Sequence, residues 1–332
     1  MTAKVVYFNI DGDLDYEREL LAEWGVADQI ELIEVKAPDN AEDTFVTALT
    51  EAEADGVVVE YYELGGAAMD RLPNLKVASV QAIGYSNIDA DAAAARQIAV
   101  TNAPGFCSED VALHTVGMLI DVVRKISFLD RSVRAGKWDP LLGPMPHRIT
   151  GKKVGLVFFG SIPKLMVPML KAIGLDVLAW APTKTTEYLA EFGVTKVETL
   201  DELLTQSDFV SMHTPLNPQT KQLMGAAQFA MMKPTAVFIN GARGAVVDEP
   251  ALVAALRDGT IAAAAIDVIA DEDNETSELF ELENVVITPH AAFVSVESLN
   301  SAKEIALRQQ VQYLVEGRLP ENTVNAVTEV RR

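Results

Sequence analysis

One cysteine, Cys107, in 332 residues leaves no intramolecular disulfide and no cysteine-built metal centre. Histidine is nearly as scarce. His114, His147, His213 and His290 stand in separate contexts, and no metal-ligand spacing links them. Basic residues are outnumbered, 27 against 48 acidic, and the net charge of −21 opposes binding to a phosphate backbone or an anionic membrane. No apolar run reaches the ~20 residues needed to span a bilayer. The opening MTAKVVYFNIDGD also lacks the basic start, long apolar middle and small-residue cleavage site of a signal peptide. Nucleic acid, membrane and metal are therefore excluded as partners, and a cytoplasmic location is expected. Internal repeats and low-complexity tracts are absent too. The densest acidic run, Asp271 to Glu283, reads as a solvated loop. Apolar residues are not scarce: at 49% of this length they supply two domains with substantial cores.

The stretch Val154 to Lys184 organises the chain. Val154 to Phe159 reads as a buried strand, Gly160 as a tight turn, Ile162 to Ile173 as a helix stopped by Gly174, and Val177 to Trp180 as the next parallel strand. Strand, glycine turn, helix, strand is the βαβ unit that seats a pyrophosphate on the amides at a helix start. Its fingerprint is altered, however. A G-x-G-x-x-G frame falls on Phe158, Gly160 and Pro163, and Ala181 occupies the place of the acid that holds ribose hydroxyls. Pro163 suits a first helical turn, whereas Pro168 removes a hydrogen bond at a cost of about 3 kcal/mol. On this motif alone, an ordinary α/β core unit is as good a reading as a nucleotide site.

Before residue 102, strand patterns at Val5–Phe8, Ile30–Val35, Gly56–Val59, Val77–Val80 and Ile98–Val100 alternate with helical ones. That alternation predicts a parallel sheet covered on both faces, a flavodoxin-like domain. Pro104-Gly105 breaks the rhythm. A long helix is expected over Ser108 to Ala135, with Ser108 as its N-cap, and then a proline-bearing loop over 136–151. The second α/β unit continues through strands at Phe209–Ser211, Ala236–Ile239, Ala263–Ile266 and Val285–Ile287. A final helix spans Val296 to Glu316. Two doubly wound parallel-sheet domains follow, joined near residues 102–106 and 291–296.

Open α/β sheets hold their ligands at the carboxyl ends of strands, and three such ends carry charge. Arg243 lies between two glycines in Asn240–Gly244 and can present a planar fork to a carboxylate. Asp267 closes a strand and Glu272 follows in a loop. His290 comes after a strand and Pro289. Alone, Arg243 reads as readily as a surface arginine in a turn, Glu272 reads first as solvated, and a lone histidine at a strand end is more often structural than catalytic. Together, an arginine to bind a carboxylate, a histidine to move a proton and an acid to orient it suit hydride transfer to a 2-keto acid.

These segments, with Val80–Asp89 (VQAIGYSNID) and Thr101–Ala112 (TNAPGFCSEDVA), resemble the D-isomer-specific 2-hydroxyacid dehydrogenases. The resemblance runs from about residue 56 to the C-terminus. It implies a discontinuous substrate domain (1–102 and 294–332), a Rossmann domain binding NAD(P) (103–293) and a homodimer formed through the nucleotide domains. It further implies Arg243 on the substrate carboxylate, His290 as acid/base with Glu272 as its partner, and the amides of Ile83 and Gly84 on that carboxylate. Relatives usually carry glycine where this chain has Ala82. The cofactor is expected along Gly160, Ser161, Ile162, Thr183, Lys184, His213, Thr214, Pro215, Thr220, Gly241, Ala242, Arg243, Asp267 and His290. Ala181 in place of an acid, with Thr183 and Lys184 in reach of a 2′-phosphate, makes NADP more plausible here than in most relatives. Glu60, Tyr61 and Tyr62 end a strand as candidate substrate contacts, the tyrosines suiting an apolar or aromatic side chain and Glu60 opposing a phosphorylated one. The alternative is a non-catalytic, ligand-binding or regulatory relative with weakened cofactor binding.

Overall fold

In a computed structural model, which describes residues 2–60, 62–272 and 276–331, the chain separates into two compact units. One is Met1–Cys107 with Ser295–Arg332, the other Ser108–Val294. The acidic run from Asp271 to Glu283 lies partly outside the described residues, at 273–275.

The first unit is built on five parallel strands, β1 (Ala3–Phe8), β2 (Ile30–Val35), β3 (Gly56–Val59), β4 (Val77–Val80) and β5 (Ala99–Thr101), in the order β2-β1-β3-β4-β5. Alternation along β1 and β3 decides which core each side chain joins. Val6, Phe8, Val57 and Val59 pack on one face with Phe45, Leu49 and Met69. Val5, Tyr7 and Val58 pack on the other with Ala306, Leu307 and Val311 of the last helix, Val296–Leu314. Gly56 makes that docking possible, since a Cβ there would stand 2.0 Å from Gln310 Oε1. The last helix therefore belongs to the unit that opens the chain.

The second unit holds seven parallel strands, β6 (Lys153–Val157), β7 (Asp176–Trp180), β8 (Thr195–Lys196), β9 (Phe209–Met212), β10 (Val237–Asn240), β11 (Ala263–Ile266) and β12 (Val285–Ile287). Their order is β12-β11-β10-β9-β6-β7-β8. Both units are doubly wound α/β sheets. The chain reverses its direction of winding between β6 and β9, and such a switch point opens a crevice at the strands' carboxyl ends. Glycine again sets a close approach. A Cβ at Gly155 would stand 2.3 Å from Ser207 Oγ and 2.6 Å from Leu203, which pack over β6.

Several local features differ from the sequence pattern. The long helix breaks at Lys125, whose φ of 56° is left-handed, into Ser108–Arg124 and Ile126–Arg134. The Asp121 carboxylate accepts from Ser127 N at 2.7 Å and from its hydroxyl, and so caps the second piece. Ser108 is the first residue of its helix rather than a residue before it. β6 stops at Val157 because Phe158 turns left-handed, φ 71°. The helix Thr186–Glu191 and the short β8 were not anticipated, although Thr185, whose hydroxyl accepts from Tyr188 N, is a legible N-cap. Pro168 does not end its helix, Ser161–Ala172. It stands on the exposed face, where water can take the carbonyl it leaves unpaired. Among the described residues, no helix is long and apolar enough to cross a membrane, and no group of three or more metal-ligating side chains occurs.

Candidate active site

The charged residues at the ends of β10, β11 and β12 are chained together by backbone. Asp267 N donates to Asn240 O at 2.9 Å, and His290 N donates to Asp267 O at 2.7 Å. Strand order makes these ends neighbours, so Arg243, Asp267 and His290 occupy one edge of the second unit.

Asn240, which is 1% exposed, shapes the arginine turn. Its Oδ1 accepts from Ala242 N at 3.1 Å and its Nδ2 donates to Arg243 O at 3.0 Å. Gly241 and Ala242 are half-buried, and the Arg243 side chain is thrown outward. Among the described residues no carboxylate pairs with it, and its Nη1 donates only to Ala242 O, at 2.6 Å. A guanidinium so placed has most of its fork free for an anion.

Asp267 is 2% exposed and fully engaged. Oδ1 accepts from Thr288 Oγ1 at 2.5 Å and Ala291 N at 2.9 Å, and Oδ2 accepts from Ala292 N at 3.1 Å. Its carboxylate thus fixes the 288–292 loop on both sides of His290. That loop needs fixing, since His290 itself holds a left-handed φ of 51°. His114 Nε2 completes the cluster, 3.0 Å from Thr288 Oγ1 and 3.6 Å from Asp267 Oδ1.

The imidazole of His290 meets Glu272, Nδ1 to Oε2, at 2.8 Å, with 42% and 43% of the two side chains exposed. A pair this open contributes little to stability. Its consequence is orientation: an ionised carboxylate only accepts, so Nδ1 carries the proton and Nε2 is left for chemistry.

On the cofactor side, Gly160 precedes the helix with extended backbone and nothing within 4 Å of its would-be Cβ. The amides of Ser161 and Ile162 follow as first-turn donors, which a helix cannot pair internally. Pro163, buried in that turn, has no amide to lose. Phe158 packs edge-on to Trp180, ring centroids 5.4 Å apart, and its left-handed backbone keeps the tight turn that a fingerprint glycine would make. The turn thus fits a pyrophosphate despite two lost glycines. Beyond β7, Ala181 is buried and Thr183 exposed. Lys184 Nζ lies 5.2 Å and Lys164 Nζ 5.3 Å from the centre of the Tyr188 ring, a doubled cation–π contact.

The 213–220 loop is closed on itself. Thr220 Oγ1 donates to Pro215 O at 2.6 Å and accepts from Asn217 N at 2.9 Å, and Thr214 Oγ1 also donates to Pro215 O, at 3.1 Å. Both threonines are buried, so their hydroxyls shape the loop and Pro215 forms its exposed surface. His213 Nε2 meets Ser211 Oγ at 2.9 Å, and desolvation pushes its pKa from the ordinary 6.5 down to about 3. The unfolded chain therefore binds a proton at His213 that the folded chain refuses between pH 6.5 and about 3. Its contribution to stability is complete above pH 6.5 and is lost as pH falls through that window. Urea midpoints measured across this range should decline less steeply for His213→Gln than for the parent.

In the first unit, Ile83 and Gly84 are exposed just beyond β4. Among the described residues, neither amide donates to a protein acceptor, as a carboxylate-binding turn requires. Asn102 Nδ2 donates to Ile83 O at 2.7 Å, and Gln309 Nε2 to Asn102 O at 2.7 Å, which holds the turn from below. Tyr62 corrects an expectation. It is 5% exposed, stacked on Phe45 at 3.9 Å and edge-on to Phe8, and burial with the nearby Glu42 raises its pKa to about 12. Its ring belongs to the core and is not offered to a substrate. Tyr61 lies outside the described residues. Asn240, Asn102 and Gln309 were missed as supporting residues; only Asn240, a strand-end asparagine before glycine, carried a signal of turn-making.

Known proteins resemble the chain along most of its length. Residues 116–292 match the family described as D-isomer specific 2-hydroxyacid dehydrogenase, NAD binding domain. The chain is 35% identical over 264 residues to a glyoxylate reductase of Thermococcus litoralis, covering 77% of this chain and 79% of that one. It is also 35% identical over 257 residues to a D-3-phosphoglycerate dehydrogenase of Methanocaldococcus jannaschii, where 77% of this chain spans about half, 49%, of the other. A crystal structure of a Thermus thermophilus protein superposes with a TM-score of 0.82 at 29% identity, covering 97% of this chain and 99% of that one.

Proposed function

The chain belongs to the D-isomer-specific 2-hydroxyacid dehydrogenases, oxidoreductases with an NAD-binding domain, and on that premise we propose that it interconverts a 2-keto acid and a D-2-hydroxy acid. Bound nicotinamide supplies or accepts the hydride. Arg243 grips the substrate carboxylate and so fixes the keto carbon. His290 delivers a proton from Nε2 to the keto oxygen during reduction and recovers it during oxidation. Glu272 holds the ring by Nδ1 and stabilises the imidazolium. Asp267 fixes the loop that presents the ring. The observation that carries this reading is the 2.8 Å contact between Glu272 and His290 Nδ1, on a loop whose flanking amides bind Asp267.

Gly160, Ser161 and Ile162 would receive the cofactor pyrophosphate. With Ala181 for an acid and Lys164 and Lys184 beside Tyr188, the end of β7 suits a 2′-phosphate, so NADPH is the proposed preference. Glyoxylate, named for the archaeal relative, is the first substrate to try, and Glu60 opposes phosphorylated acids. Calorimetric titration with NADH and NADPH separates the possibilities. Tight NADPH binding, weakened about tenfold or more in Ala181→Asp by like-charge repulsion, is expected. Binding of neither cofactor at millimolar concentration would leave only a ligand-binding relative.

A second copy of this chain is the proposed partner. Leu113, Ile126, Val133, Trp138, Leu141 and Met145 are exposed, 45% to 88%, and the helix Ile126–Arg134 buries no residue. Such an apolar surface exceeds what isolated side chains explain. Sedimentation should give a dimer, and Trp138→Asp should weaken it.

A further inference from the structure

The segment that carries Glu272 is held by a residue so far without a role. Glu249 opens the helix Glu249–Arg257. Its Oε2 accepts from Ala270 N at 2.7 Å and its Oε1 from Ser277 Oγ at 2.6 Å. Both oxygens of one carboxylate are thus spent on the two described ends of the stretch around Glu272. The same helix grips further along, where Arg257 pairs with Glu278 at 2.6 Å and Glu281 at 3.6 Å. Just before Ala270, Ile269 O lies against Gly244, the residue after Arg243.

We infer that Glu249 is a positioning residue, whose carboxylate sets the place of Glu272 and, through it, the tautomer of His290. This rests on the proposed Glu272–His290 pairing. The physical reason is that Glu272 is a half-exposed side chain on a stretch outside regular structure. Free, it would sample many rotamers, and a single hydrogen bond to an open imidazole would not collect them. Glu249 accepts two charge-assisted hydrogen bonds, one from the backbone two residues before Glu272 and one from the Ser277 hydroxyl five residues after it, so the ordering is complete before His290 is met. A loosened Glu272 returns the neutral imidazole to the tautomer balance of free histidine, in which Nε2–H prevails: the nitrogen that must take the proton in oxidation is already occupied, and the imidazolium that gives it in reduction loses its carboxylate.

The test reads the tautomer directly in the full-length protein, by long-range 1H–15N correlation of the histidine rings at a pH where the ring is uncharged. The His290 signals are assigned by their loss in His290→Gln. The parent is expected to show Nδ1–H. Glu272→Ala should shift the ring toward Nε2–H, Glu249→Ala should shift it in the same direction, and the double variant should go no further than Glu272→Ala. With glyoxylate and NADPH, kcat should fall up to ~10²-fold in Glu249→Ala, again without adding to the Glu272→Ala loss. If Glu272→Ala leaves the tautomer unchanged, the pairing itself is wrong and the inference falls with it. A shift in Glu272→Ala but none in Glu249→Ala overturns the inference alone. Should Glu249→Ala fail to fold, Ser277→Ala removes one of the two anchors; a smaller shift in the same direction supports the inference, and an unchanged tautomer overturns it.

Discussion

Replacing His290 by alanine is expected to lower kcat for 2-keto acid reduction by about 10²–10⁴-fold, the range that a positioned acid/base contributes, while calorimetric cofactor affinity stays within a few-fold. The reduction creates an oxyanion that must be protonated as the hydride arrives, and among the described residues at this edge only His290 pairs a carboxylate-oriented nitrogen with an open one. The second histidine, His114, spends Nε2 on Thr288 and Asp267 and is not a substitute. Alanine also accepts the left-handed φ of 51° no better than histidine does, so the loop's strain is unchanged and the loss reports chemistry. Full reductase activity in this variant would sink the proposed mechanism.

The largest expected effect on stability belongs to Gly244→Ala. A Cβ there would stand 1.7 Å from Ile269 O and 2.2 Å from its carbonyl carbon. No rotamer change relieves a clash with backbone. The Arg243 turn or the 269–272 segment must move, and each carries a proposed site residue. Overpacking of this kind typically costs about 1–3 kcal/mol, and contact with main chain puts it at the upper end. A lowered urea midpoint with unchanged m-value is expected, together with a loss of turnover that exceeds the loss of folded protein. An alanine variant as stable as the parent would mean that the approach is looser than described.

Residues with strong periodicity were legible from sequence. β2, β3, β4, β11 and β12 fall where the sequence pattern places them, and β3 and β4, buried along their whole length, read as the short unbroken runs expected of parallel strands covered on both faces. The charged strand ends were legible for a different reason: Arg243, Asp267 and His290 follow apolar runs, and in an open α/β sheet that position is the ligand edge. What stayed hidden is contact beyond the helical or strand repeat. Asp121 meeting Ser127 across the break at Lys125, the burial of Tyr62 between Phe8 and Phe45, and the grip of Gln309 on Asn102 all join residues that local pattern does not connect. The fingerprint shows the reverse. Its glycines are largely gone, yet Phe158 holds the turn because Phe158 N donates to Trp180 O at 2.8 Å and the ring rests on Trp180. Backbone pairing enforces there a shape that residue type alone disfavours.

The unit that begins the chain also ends it, and this reverses the order of completion during synthesis. When residue 107 leaves the ribosome, one face of the first sheet, with Val5, Tyr7 and Val58, still lacks its cover of Ala306, Leu307 and Val311. The notch at Gly56 waits for Gln310, and β5 waits for Asn325, whose Oδ1 accepts from Val100 N at 3.1 Å and whose Nδ2 donates to Ile98 O at 2.8 Å. The second unit, continuous from Ser108 to Val294, has all its strands in hand before the last helix is made. The nascent chain thus carries a half-finished sheet while the second unit closes, and release of the helix Val296–Leu314 from the exit tunnel becomes the step that completes the first unit.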